Sequence, residues 1–289
     1  MANLHKLGSI LGINRRNLDF IQPNNPRSAF PLVDDKTITK KILTEAGIPV
    51  PETLAIVSNL ISIPSLINDL SEVDSFVAKP ARGRAGGGIL LIERVPDGSW
   101  QTPSGRKLTP EDLRHHLADI LFGVYSFGRM GDSALIERKI DPHEFFRQIY
   151  ERGIPDIRVI TYQGIPVVSM LRVPTVRSDG KANLHQGAIG VGIDIQTGVT
   201  TGGFFHGKPI SAHPDSGYSL NGLAIPHWND VLNYACKAAK TVPLGYLGID
   251  FVLDKSNGPL VLELNARPGL QIQVVNQIGM TELLQGKIA

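Results

Sequence analysis

One cysteine, Cys236, stands in a chain of 289 residues, which excludes an internal disulfide and every multi-cysteine metal site and fits a reducing, cytoplasmic setting. Charge is also sparse: 19% of residues are charged and the formal net charge is +2, so neither a disordered polyelectrolyte nor a basic surface for nucleic acid is expected. Long apolar runs are missing. Nothing approaches the roughly 18 residues needed to span a bilayer, and MANLHKLGSILGINRRN lacks the apolar stretch of a signal peptide. What is present is 42% apolar content, enough to bury the core of one large domain or of two lobes.

Residues 1–33 mix Asn, Pro and basic side chains without sustained periodicity and read as a solvated, loosely packed arm. Asp34 and Asp35 then cap a helix carrying Ile38, Ile42, Leu43 and Ala46 on one face, stopped by Gly47 and Pro49. SFVAKP (75–80) reads as a buried strand, 81–88 as a glycine-rich loop and 89–95 as the return strand. Thr109-Pro110-Glu111-Asp112 starts a helix running to about Phe122. ALIERKI follows as a strand, DIRVITY and IPVVSMLRV as a hairpin about Gln163-Gly164, and 178–222 as a glycine-rich irregular stretch bordering the site. A helix over about 227–240 precedes the strands YLGIDFVLD and PLVLELNA. Helix and strands first, then mainly antiparallel β with covering helices, argue an α+β fold.

The sharpest chemical signal is Asp250 on one strand and Glu263 with Asn265 on the next. Positions two apart share a face, so three oxygen groups converge among aliphatic neighbours, where a carboxylate needs a cation or donor to offset its burial. Few, hard oxygen ligands suit Mg2+, with Mn2+ as an alternative; the plainer reading pairs the carboxylate with Arg267. Lys79 ends its strand just before Gly83, Gly86, Gly87 and Gly88, a lysine and a phosphate-cradling loop that is neither a Walker loop nor a dinucleotide fingerprint. Glu137 ends ALIE and Glu144 lies seven residues on; taken alone, either is a surface charge. His185, His206 and His213 lack the spacing of a zinc site, and Cys236 reads as a helix-packing residue.

DKTITK, AGIPVPET, VAKP with its loop, IERK with the glutamate beyond, DIRV, and GIDFVL with LELNARPG together resemble the ordered motifs of the ATP-grasp superfamily, over about residues 34 to 270. DIRV, Asn-Leu-His and the closing Glu-x-Asn-x-x-Pro-Gly are most similar to the α-L-glutamate ligase branch. The resemblance implies two α+β lobes clasping ATP: an arm at 1–33, a first lobe with a glycine-rich lid at 34–136 and a second lobe with a magnesium site at 137–289. It implies ATP contacts at Lys40 and Lys79, a lid at Gly86 to Gly88, an adenine linker at Glu137, Arg138 and Lys139, and a ribose contact at Glu144. Asp250, Glu263 and Asn265 become magnesium ligands, Arg158 and Arg172 face the triphosphate and an acyl-phosphate, and Asn183 matches the asparagine before the metal strands.

The activity so implied is ATP-dependent carboxylate–amine ligation on amino-acid and peptide or protein carboxylate substrates. The short region before the first lysine motif raises the expectation that a partner protein or second subunit completes the acceptor site. It also favours, as an alternative, a catalytically silent ATP-binding scaffold; a phosphotransferase is the other alternative, since the same lobe arrangement can end at phosphate transfer.

Overall fold

SFVAKP alternates across the pleat, with Phe76 and Ala78 buried on one face and Lys79 on the other, and so becomes an interior strand. The computed structural model describes residues 9–83, 86–126 and 131–286. It divides into two units: one holds Asp35–Ile38 and Pro51–Ile140, the other the described residues up to Asp34, Thr39–Val50 and those from Asp141 onward.

In the first unit β1 (Thr53–Val57), β2 (Ser75–Pro80), β3 (Leu90–Arg94), β4 (Trp100–Gln101), β5 (Lys107–Leu108) and β6 (Ala134–Arg138) form an antiparallel sheet ordered β1-β6-β2-β3-β4-β5. Helices Ile63–Leu70 and Pro110–Leu121 lay Leu66, Leu70, Leu113, Leu117 and Ile120 on Phe76, Ile92 and Ile136. The second helix begins as its sequence dictates. Thr109 Oγ1 accepts from the Asp112 N–H at 3.1 Å while Asp112 accepts from the Thr109 N–H at 2.8 Å.

In the second unit β7 (Asp156–Tyr162), β8 (Ile165–Val173), β9 (Ile189–Ile193), β10 (Val199–Phe205), β11 (Lys208–Ile210), β12 (Asn221–Ala224), β13 (Tyr246–Asp254) and β14 (Gly258–Asn265) form a sheet ordered β11-β10-β9-β8-β7-β13-β14, with β12 on β10. One face packs Val159, Leu171, Val191 and Ile249 against the helix Trp228–Thr241. The other packs Ile160, Val168, Met170 and Tyr246 beneath Leu11, Phe20, Ile21, Ile272, Val275 and Met280. No helix among the described residues is long and apolar enough to cross a membrane.

Three expectations change. From Ser9 onward the arm is not loosely packed, residues 1–8 lying outside the described residues: Leu11 is 1% and Phe20 4% exposed, and a six-residue π-helical turn, Arg16–Ile21, turns Arg16, Phe20 and Ile21 inward. The stretch 178–222 contains β9, β10, β11 and the start of β12. Gly190 and Gly192 hide the strand pattern from the sequence because they lack side chains, and they must: a Cβ on Gly190 would strike Val275 and one on Gly192 would strike Thr201. Finally, the helix Lys36–Glu45 buries Thr39, Lys40 and Leu43, leaving Ile38 and Ala46 exposed. Thr39 donates its hydroxyl to Leu32 O at 2.8 Å, which turns that face inward. Its ends follow the sequence: Asp35 Oδ1 accepts from the Thr37 N–H at 3.0 Å, and Gly47 takes φ +67° beyond its last turn.

Candidate active site

In the second unit, strand register gathers the chemistry. Asp250 on β13 faces Arg158 on β7 and Glu263 on β14, Asn265 lies two residues further on, and Asp156 faces Arg172 on β8. Period two places Asp156 and Arg158 on one face, so all these side chains stand together. Arg158 donates from Nε to Asp250 Oδ1 at 2.7 Å and from Nη2 to Oδ2 at 2.6 Å. Arg172 bridges two carboxylates, donating from Nη2 to Asp156 Oδ2 at 2.6 Å and to Asp250 Oδ2 at 2.8 Å, with Nε also on Asp156. Asn265 Nδ2 points to Glu263 Oε1 at 3.2 Å and to Asp250 Oδ2 at 3.4 Å.

Asp250 is 1% exposed. Burial alone would push its carboxyl up, but Arg158 and Arg172 outweigh burial and hold it below the usual range. Asp156 goes the other way: burial, reinforced by the charge of Asp250 and opposed by Arg172, pushes it up to about 7. Arg172 is held firmly protonated, because Asp156 and Asp250 overcome its burial. The cluster sets three acidic side chains, Asp156, Asp250 and Glu263, against two guanidiniums, Arg158 and Arg172. Two carboxylates and an amide oxygen are the hard donors Mg2+ takes while it retains water or phosphate oxygens. A set of three His, Cys, Asp or Glu that could hold a metal does not occur among the described residues, so the third donor here would be Asn265.

In the first unit Lys79 on β2 and Glu137 on β6 lie on one face, since Val77, two before Lys79, is the register partner of Glu137. Lys79 Nζ meets Glu137 Oε2 at 2.5 Å, both nearly buried. The neighbouring residues are engaged at the strand end: Arg138 N–H donates to Glu52 O at 3.0 Å, and the Lys139 ammonium pairs with Glu93. The loop after β2 is fastened at both ends. Arg82 N–H donates to Asp132 Oδ2 at 3.0 Å, Lys36 Nζ donates to Gly83 O at 2.9 Å, and His116 Nε2 lies 3.0 Å from Gly88 O. Gly86 and Gly88 adopt φ +75° and +74°, and a Cβ on Gly88 would come within 2.5 Å of Tyr125 Cγ.

The remaining expected residues lie on other elements. Asn183 caps a 3-10 turn, its Oδ1 accepting from the His185 N–H at 3.0 Å. Glu144 is exposed at the start of the helix Glu144–Ile149. Lys40 is buried on the helix Lys36–Glu45. Arg267 does not pair with the acidic cluster: it meets Asp34 at 3.1 Å and lies 4.6 Å over the Phe30 ring. His213 is structural, with Nε2 2.9 Å from Pro174 O and its ring stacked on Tyr150. Asp156 is the cluster member that sequence reading left without a role, although its spacing of two from Arg158 carries the signal.

Two antiparallel sheets with covering helices give the α+β architecture of the ATP-grasp fold. The chain belongs to the sugar-transfer associated ATP-grasp family, which it matches over residues 15–287. No curated protein matches it. Its fold is similar to that of a biotin carboxylase from Campylobacter jejuni solved with β,γ-ATP (18% identity, 90% of this chain and 48% of that one, TM-score 0.55). It is also similar to D-alanyl-alanine synthetase A from Vibrio cholerae (13%, 90% and 64%, 0.54) and to a D-cycloserine synthetase (13%, 90% and 71%, 0.52). The chain spans 64% of the length of the ATP-grasp ligase PsnB, another structural neighbour.

Proposed function

We propose that the protein is an ATP-dependent carboxylate–amine ligase, adding an amino acid such as glutamate to a peptide or small acid through an acyl-phosphate. The observation that carries this reading is the register that brings Asp250, Glu263 and Asn265 onto one sheet face with Arg158 and Arg172. In this reading a substrate carboxylate oxygen attacks the γ-phosphorus of ATP and ADP leaves. An amine nitrogen then attacks the acyl carbon, the acyl–oxygen bond breaks, and phosphate leaves with its electron pair.

Asp250, Glu263 and Asn265 would hold Mg2+, which would supply charge neutralisation at the transferring phosphoryl group. Arg158 and Arg172, locked by Asp250 and Asp156, offer fixed cationic donors to the oxyanion of the acyl-transfer step. Lys40 and Lys79 offset phosphate charge, Gly86 to Gly88 lie over the phosphates, Glu137 to Lys139 present backbone to adenine and Glu144 accepts from ribose. Asn183 assists beside the metal strands. The lobes carrying these groups are assigned to residues 34–136 and 137–289.

The intermediate is testable by trapping. Hydroxylamine supplied with MgATP and a panel of amino acids, acidic peptides and sugar acids, the last prompted by the family's association with sugar transfer, should yield a hydroxamate with one class of acid. No hydroxamate with any acid, alongside phosphorylation of a hydroxyl, would instead establish a phosphotransferase.

A further inference from the structure

Arg16 is 6% exposed, yet its hydrogen bonds reach no carboxylate. Its Nη1 donates to Pro268 O at 2.7 Å, and Nε and Nη2 donate to Asn17 Oδ1 at 3.1 and 2.9 Å. A guanidinium has five N–H groups, so one hydrogen on each terminal nitrogen is left over. Those hydrogens belong to the two nitrogens that a carboxylate engages in a forked pair. A buried cation without a counter-ion is unfavourable: burial depresses the proton affinity of Arg16, Tyr246 opposes that, and the charge of Arg267 depresses it further.

Tyr246 supplies a second, independent observation. It is fully buried, and its hydroxyl is one of the few buried side-chain polar atoms without a hydrogen-bond partner. Burial pushes it up to about 12. Gly248, two residues on along the same face of β13, would bring a Cβ within 2.7 Å of Pro268, whose carbonyl Arg16 holds, so the face that carries Tyr246 and the guanidinium of Arg16 meet at the same turn. Tyr246 also stands on the face of β13 that carries Asp250, four residues away, and Arg16 holds the carbonyl of Pro268, three residues beyond Asn265.

We propose that Arg16 and the Tyr246 hydroxyl form a carboxylate-binding subsite, which selects a substrate carrying a carboxylate in addition to the group that reacts. The substrate class is then an amino acid or short peptide with a free carboxylate, an assignment that rests on the ligase reading above. The carboxylate accepts from both terminal nitrogens of Arg16 and from the Tyr246 O–H, satisfying the three donors left over in the unliganded protein.

The test is equilibrium binding of L-glutamate and, separately, of inorganic phosphate to the intact protein without nucleotide, with melting temperature recorded in parallel. Tyr246→Phe should weaken L-glutamate binding about tenfold, the worth of one hydrogen bond to a charged group, and leave the melting temperature unchanged or higher because an unsatisfied hydroxyl is gone. Arg16→Gln should weaken it further. L-glutamate affinity equal in wild type and Tyr246→Phe, or no binding at all, overturns the subsite and leaves Arg16 as a prop for the Pro268 turn and Tyr246 with a trapped water. Phosphate binding as tightly as L-glutamate, with the same dependence on both residues, overturns the carboxylate assignment in favour of a general oxyanion. Because turnover is not measured, failure of the ligase reading shows elsewhere: a protein that binds L-glutamate through Arg16 and never forms ADP keeps the subsite and loses the reaction.

Discussion

Asp250→Asn removes the charge gripped by both Arg158 and Arg172 while keeping the volume of the side chain. Arg172 then keeps Asp156, while the largely buried Arg158 loses the carboxylate it donates to, so the account predicts a loss of about 3–5 kcal/mol in denaturant unfolding, together with loss of ADP formation. A loss below about 1 kcal/mol would show that the network is not held by Asp250. At this scale the sequence was most informative about Asp250, Glu263 and Asn265, because a spacing of two on a strand states a face directly. It was less so for Asp156, whose partner Arg172 sits on another strand and becomes its neighbour only through register. It was least informative for Arg16 and Asn25, whose partners Pro268, Tyr246 and Ala266 lie more than two hundred residues away.

Asn25 shows what the N-terminal segment does for the element beside it. Its Nδ2 donates to Tyr246 O at 2.7 Å and Ala266 O at 3.1 Å, and its Oδ1 accepts from the Tyr246 N–H at 2.9 Å, so it ties the start of β13 to the residue after β14. Asn25→Ala leaves buried backbone groups unsatisfied and should lower stability by about 2–4 kcal/mol, with weaker Mg2+ binding because the strands carrying Asp250 and Glu263 lose their common tie.

The glycine loop makes a separate prediction. Gly88→Ala meets Tyr125 and forces a left-handed φ on alanine, a strain of about 1–3 kcal/mol, and should raise the KM for ATP. Adding Tyr125→Ala should restore only the steric part. His116, whose ring nitrogen reaches Gly88 O, is made harder to protonate by its burial. The unfolded chain takes up this proton as pH falls below about 6.5, where the folded chain resists it, so His116 supports stability fully above that pH and loses its contribution as pH drops through the lower folded value. Amide exchange at Gly86 to Gly88, corrected for intrinsic rates, should therefore quicken on acidification, and His116→Gln should flatten that dependence.

Elements with side-chain periodicity were legible: DIRVITY and IPVVSMLRV became β7 and β8, and the turn between them carries positive φ at both Gln163 and Gly164. β9 and β10 were not, since glycines at 190, 192, 202 and 203 give no alternation to read. The arm was misread for the opposite reason. Its inward residues follow a π-helical turn, a spacing that a period of 3.6 does not reveal.

At the scale of the whole chain, each unit has a core of its own: Phe76, Leu117 and Ile136 in one, Phe251, Val231 and Met170 in the clusters of the other. The N-terminal segment belongs to the second of these, so Phe20→Ala should cost about 3–5 kcal/mol in that unit and lower the melting temperature. The superfamily was legible in the order of its motifs, whereas no single motif would have established it. The measurement that bears most directly on the account is ADP release from MgATP, with and without an amine, in wild type beside Glu263→Ala. The ligase reading predicts sustained ADP turnover that requires both a carboxylate substrate and an amine and disappears in Glu263→Ala; ATP binding with no ADP under any pairing would contradict it and leave an ATP-binding scaffold.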